Sequence, residues 1–223
     1  MLALKPLLLK FTPLLILSLS LTSCADLTKT LTRSDVTATE LKSTLFTPSD
    51  FPDYQIIQTS VANLSAENVI GEELNDKICD ANSTLYSPLM VNEESTITLI
   101  NAAEPVCLGK DEAKAATIEN FSELLYVREN MLNASIAEQG GGVRNIKTKL
   151  LEYSAFGEDS LTYQTTAEIT FEDNPIPYKS ITVVLFSDQA AVSIILESYT
   201  ESFPEDILTK AVTLSKSRLS LLK

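Results

Sequence analysis

"LTYQTTAEITF", residues 161–171, alternates in character from one residue to the next. Leu161, Tyr163, Thr165, Ala167, Ile169 and Phe171 fall on one side of an extended chain, and mostly polar residues fall on the other. A period of two held over this length belongs to a half-buried antiparallel strand, because successive strand side chains point to opposite faces. The stretch after it agrees. "EDNPIP" (172–177) has turn composition. "SITVVLF" (180–186) and "AAVSIILESY" (190–199) read as two further strands, with "SDQ" as their hairpin connection. Upstream, "YQIIQTSV" (54–61) and "STITLIN" (95–101) add β-rich segments.

Helical periodicity occupies the gaps. Over 110–138, Ile118, Phe121, Leu125, Leu132 and Ile136 recur at three- and four-residue steps as one apolar stripe. Asp111 and Glu112 suit the positive end of that helix, and "QGGGVRN" stops it. The last helix is expected over 204–222, with Ser202 and Glu205 as a capping box around Pro204 and with Leu208, Val212, Leu219 and Leu222 inward. A short helix begins near Ser34 with Val36, Leu41 and Leu45 inward, and a weak one spans 66–78. The expected fold is a single α+β domain, an antiparallel sheet with helices packed on one side.

Composition narrows the chemistry. The 223 residues include no histidine and carry a formal charge of −13. Without imidazole, Ser-His-Asp and Cys-His systems, HExxH zinc sites and histidine pH switches are excluded. Neither phosphate-loop motif occurs, and Gly140, Gly141 and Gly142 follow a helix where those loops follow a strand. The adjacent acids Glu93-Glu94, Glu158-Asp159, Glu172-Asp173 and Glu205-Asp206 keep an acid-pair hydrolase in view. Adjacent acids ordinarily face water, so no catalytic residue, metal ligand or cofactor is expected. The acidity also excludes nucleic acid, whose recognition needs a basic footprint.

The N-terminus carries the clearest signal. Lys5 and Lys10 precede an uncharged apolar run over 11–21, too short to span a bilayer, which is the layout of a secretory signal. Leu21-Thr22-Ser23-Cys24 then resembles the bacterial lipobox, in which the cysteine thiol receives a diacylglyceryl group and the chain is cut before it. The alternative is a plain signal with an incidental cysteine. The lipobox reading makes residues 1–23 the signal peptide and Cys24 the lipid attachment site. It makes 24–35 a Thr-rich tether and 36–223 the extracytoplasmic domain at the cell membrane. Removing 1–23 takes away two lysines and no acid, so the charge becomes −15.

Two further short motifs, "LFTPSDFPDYQ" (45–55) and "AFGEDSLTYQ" (155–164), with Cys79 between them, resemble a loose actinobacterial group. Its members are lipoproteins and kinase ectodomains similar to the extracellular sensor domain of mycobacterial serine/threonine kinases. Asp50-Phe51-Pro52-Asp53-Tyr54 matches the group's Asp-Leu-Pro-x-Gly-aromatic pattern with Asp53 at the glycine. Gly157-Glu158-Asp159 replaces its Gly-Asp pair. The resemblance implies an α+β sandwich with a ligand cleft and no catalysis, and it transfers no functional residue. The expected function is ligand binding or sensing at the envelope, with an apolar envelope ligand or an envelope protein as partner. The alternative is a structural or interaction lipoprotein without a small-molecule ligand.

Cys79 and Cys107 remain, and an even pair in an exported chain reads as a disulfide. Two free buried thiols or half of a metal site are the rival readings, the latter short of ligands. A 28-residue separation makes the bridge worth about 3–4 kcal/mol on the chain-entropy account. Denatured, unreduced mature protein should therefore show no alkylatable thiol by mass spectrometry; two alkylated cysteines would refute the bridge.

Overall fold

The computed structural model describes residues 36–57, 84–92, 96–106, 109–151, 156–171 and 174–222. The expected signal peptide, Cys24, the whole of the expected tether, the helix expected over 66–78, Cys79 and Cys107 lie outside the described residues. Helix α1 (Ala38–Ser43) and a 3₁₀ turn (Pro48–Asp50) lead into β1 (Gln55–Ile57). Strands β2 (Leu85–Tyr86), β3 (Leu89–Asn92) and β4 (Ile97–Pro105) follow. Then come α2 (Lys110–Glu119), α3 (Phe121–Glu138), β5 (Gly142–Leu151), β6 (Ser160–Phe171), β7 (Asn174–Phe186), β8 (Ala190–Ser198) and α4 (Glu205–Leu219). One antiparallel sheet runs β1-β3-β4-β8-β7-β6-β5, and β2 pairs with β4 beside β3. The protein is an α+β fold on an antiparallel sheet.

The helices, expected on one side, cover both faces. Strand register shows why. Leu99, Leu196 and Ile181 share one face of the sheet, with Val183 and Ile194 beside them. They pack with Leu208, Val212 and Leu219 of α4 and with Val36, Leu41, Leu45 and Phe46 around α1. On the other face, Leu161, Tyr163, Val184 and Phe186 meet Ala113 of α2 and Phe121 of α3. Ala167, Ile169 and Tyr178 meet Leu132 and Ile136 of α3 on that same face. "SITVVLF" and "AAVSIILES" are continuous apolar runs in which both alternate sets of side chains must be buried, and that requires cover on two faces.

Helix α4 begins without the expected capping box. Pro204 is its N-cap residue and supplies no side-chain bond. The Ser202 carbonyl instead accepts the hydroxyls of Ser198 and Thr200 at 3.3 and 2.8 Å. Glu205 turns to Lys179 at 3.7 Å. A side-chain cap contributes only about 1 kcal/mol. Burying Leu208, Val212 and Leu219 contributes on the order of 5–8 kcal/mol, an upper figure. Packing therefore sets this helix. A reciprocal capping box does form on α1, between Thr37 and Glu40.

Three further departures have local causes. The helix read as continuous over 110–138 breaks at Asn120 (φ −86°, ψ 5°), and Ile118 is left 46% exposed outside the stripe. Its far end is a Schellman motif. Gly140 and Gly141 donate to the carbonyls of Ala137 and Ile136, Gly140 has φ +78°, and a Cβ on Gly141 would lie 2.5 Å from the Phe171 ring. Strand β5 was hidden because a bulge between Arg144 and Lys147, with Asn145 at φ 54°, interrupts its alternation. Strand β7 begins at Asn174, inside the stretch read as a turn. Pro175 and Pro177 are tolerated there because β8 pairs with β7 only from Lys179 onward, leaving that segment on a free edge.

The loop after α1 is fixed to the sheet by one buried amide. Asn101 of β4 accepts from the Phe46 N–H at 2.8 Å and donates to the Thr44 carbonyl at 3.1 Å. Its own backbone N–H donates to the Ser87 hydroxyl at 3.0 Å where β2 gives way to β3. Asn101 is fully buried among leucines and isoleucines, so its loss leaves two backbone groups unpaired in an apolar layer. Asn101→Ala is expected to destabilise the domain by about 2–4 kcal/mol, read as a lower urea midpoint at unchanged slope; an unmoved midpoint would show that water replaces the amide.

Candidate functional site

The first sequence motif, 45–55, proves to be a clamp. Phe46 and Phe51 are buried and meet edge-to-face at 5.2 Å, and Tyr54 continues the series at 5.8 Å. Burial, then the nearby Asp206 and Asp53, push the Tyr54 hydroxyl up to about 12. Lys210 of α4 stands 4.7 Å over the Phe51 ring. Asp50 accepts the Thr47 N–H at 2.7 Å and both of its oxygens take Arg218 Nη2, at 2.8 and 2.9 Å. Arg218 Nη1 reaches the Leu45 carbonyl at 2.6 Å. Arginine suits this place because one planar fork serves a carboxylate and a carbonyl together. Burial raises the Asp50 carboxyl, but the Thr47 N–H and the Arg218 guanidinium outweigh it and hold the group below its ordinary value.

Residues 156–159 of the second motif border a pocket of about 330 Å³ at the end of the α4 layer. Phe156, Leu185, Phe186 and Leu219 supply apolar wall, and Gly157, Ser187, Lys216 and Ser220 the polar rim. Gly157 has φ +90°, and a Cβ there would stand 3.3 Å from the Lys216 ammonium. That strand-entry turn is why a glycine occupies the motif. Glu158 and Asp159 line the pocket as well; Asp159 pairs with Lys110 at 3.0 Å, and Lys114 donates to the Glu158 backbone carbonyl. Ser187 and Ser220 donate to the carbonyls of Ala190 and Ser217. Lys216 has no ion-pair partner among the described residues. The rim thus sets one cation, Lys216, beside two acids, Glu158 and Asp159, around an apolar wall. Between sheet and helices the side chains of the three clusters above pack directly together, and the pocket lies at the rim of the α4 layer.

One polar cluster went unread in the sequence. Glu197 of β8 is buried and accepts hydroxyls from Thr98 and Tyr178 at 2.9 Å each and from Tyr199 at 3.4 Å. The two tyrosine rings lie 5.4 Å apart. Burial, and next the Glu197 charge, raise the Tyr199 hydroxyl well above its ordinary range. Among the described residues no cation approaches Glu197 within ion-pair distance. Nothing in "ILESY" distinguishes this glutamate from one at an exposed strand end. Only the pairing of β8 with β4 and β7 turns it inward.

Of the adjacent acids, Glu158-Asp159 and Glu205-Asp206 sit apart on the surface; Glu93-Glu94 and Glu172-Asp173 lie outside the described residues, as do Cys24, Cys79 and Cys107. Among the described residues no cluster of three acids or cysteines could hold a metal, and no helix is long and apolar enough to cross a membrane. No family model matches the chain, and no curated protein matches it.

Asp50 gives the domain a defined acid sensitivity. Its folded pKa lies below the ordinary 3.8, so its contribution is complete above that value and is lost as pH falls through the lower folded value. Asp50→Asn should cost about 2 kcal/mol at neutral pH and flatten the decline in urea midpoint below about pH 4. An equally steep decline in the variant would assign the acid sensitivity elsewhere.

Proposed function

We propose that the chain is a lipid-anchored binding protein on the extracytoplasmic face of the cell membrane, with a sensor-like domain that catalyses no reaction. The anchor reading rests on Leu21-Thr22-Ser23-Cys24 after a basic start and an apolar run. Two acyl chains would hold the domain stably, each buried methylene contributing about 0.8 kcal/mol. The binding reading is carried by one observation, the Lys216 ammonium at Gly157 above the apolar wall of Phe156, Leu185 and Leu219. The likeness of 45–55 and 155–164 to kinase sensor ectodomains belongs to this proposal. A second reading, an envelope interaction protein without a small ligand, draws support from the packed sheet–helix layers and from exposed Tyr126 and Leu221.

Full-length protein exported by a bacterial host should incorporate a fatty-acid analogue, and Cys24→Ser should abolish the label and release the protein from membranes. Continued labelling would sink the anchor. In native mass spectrometry the released protein should carry a reproducible extra mass that Lys216→Ala loses. A bare mass for both would favour the second reading.

A further inference from the structure

Strand β5 ends the sheet, and its outer edge pairs with no other strand among the described residues. An open edge is a row of unpaired N–H and C=O groups that can template another strand. The charge on this edge is opposite to that of the molecule. Residues 139–151, "QGGGVRNIKTKLL", contain Arg144, Lys147 and Lys149 and no acid, in a chain of net charge −13. All three cations are exposed. Register sets them on one face of the sheet, because Arg144, Lys147 and Lys149 lie opposite Glu168, Thr166 and Gln164. Glu168 offsets Arg144 and also accepts from Asn145 at 2.9 Å. Lys147 and Lys149 have only neutral residues opposite them and no ion pair among the described residues. Elsewhere Lys110, Lys179 and Arg218 are paired with acids.

We infer that β5 is a docking edge for an extended acidic segment of another protein, which adds to the sheet as a further strand. Main-chain hydrogen bonds would supply affinity. Glutamate or aspartate at alternate positions of the incoming strand, about 7 Å apart, would fall beside Lys147 and Lys149 on the same face. A second copy of this chain does not fit, since β5 against β5 brings the two basic rows together. The inference does not depend on how the chain is anchored or on the Lys216 pocket. Its rival is that the lysines only guard the edge against pairing, a common use of lysine on edge strands.

The test is fluorescence anisotropy of full-length protein with a labelled nine-residue peptide alternating glutamate and threonine, at low ionic strength. Binding is expected, weakened about tenfold by the double substitution K147E/K149E and at least as much by N-methylating every peptide residue. Lys42→Glu, an exposed reversal on α1, should leave it unchanged. No anisotropy change with the unmodified peptide would leave the lysines as edge guards and overturn the proposal. Equal binding of the N-methylated peptide would overturn it too, by showing charge attraction without strand addition. So would displacement of the peptide by vesicles of phosphatidylglycerol and phosphatidylcholine in equal parts while N-methylation is without effect, which would assign the row to an anionic bilayer.

Discussion

Strand β8 is buried at every one of its nine positions, and most of the architecture follows from that. A strand exposes one set of alternate side chains unless both faces are covered. Ala190, Val192, Ile194 and Leu196 need one cover, and Ala191, Ser193, Ile195 and Glu197 need another. Helix α4 and the α1 region supply the first, α2 and α3 the second. The chain therefore places α1 and α4 on one face of the sheet and α2 and α3 on the other. The outer strands escape the requirement. Strand β5 carries exposed cations, and the proline-bearing start of β7 lies where no β8 partner is available.

What could be read beforehand was whatever repeats locally. The alternation over 161–171 survives as β6, with Leu161, Tyr163, Thr165, Ala167 and Ile169 buried on one face. Leu132 and Ile136 of the helical stripe are buried as their spacing implied, and so are Val36, Leu41 and Leu45. The misreadings occur where a single residue changes the period or where distant pairing decides. Asn145 inserts a bulge and hides β5; Asn120 divides a helix without disturbing the composition around it. Ser202 has the right identity and spacing for a cap, yet the preceding strand end claims it. Sidedness could not be read from any one strand, since it depends on which strands occupy the centre of the sheet.

The two motifs that suggested a family are both placed around the last helix. Arg218 holds Asp50 and the Leu45 carbonyl, while Lys216, two residues earlier, stands at Gly157. Their residue types are accounted for by packing and turn geometry before any ligand is considered. Asp50 closes the 3₁₀ turn and receives the arginine, Phe51 enters the core, and Gly157 adopts a left-handed backbone conformation before β6. Short motifs of this kind can persist for the sake of the fold alone. Lys216 differs from them in having no ion-pair partner among the described residues.

Glu197 bears on the uniqueness of the sheet. A carboxylate removed from water is costly unless its oxygens find donors. Here Thr98 on β4, Tyr178 on β7 and Tyr199 just past β8 provide three hydroxyls. Arginine or lysine would add a second buried charge, with a desolvation cost of its own; neutral hydroxyls satisfy the oxygens without it. A one-residue slip of β8 would turn Glu197 to the opposite face, toward Leu99, Ile181 and the α4 layer, away from those donors. Because side-chain direction has a period of two, that slip would also exchange both apolar sets of β8. The exchange would put Ser193 into the α4 layer and Leu196 beside the Thr98, Tyr178 and Tyr199 hydroxyls. The central strand is thus held in register by its one charged residue together with its apolar sets.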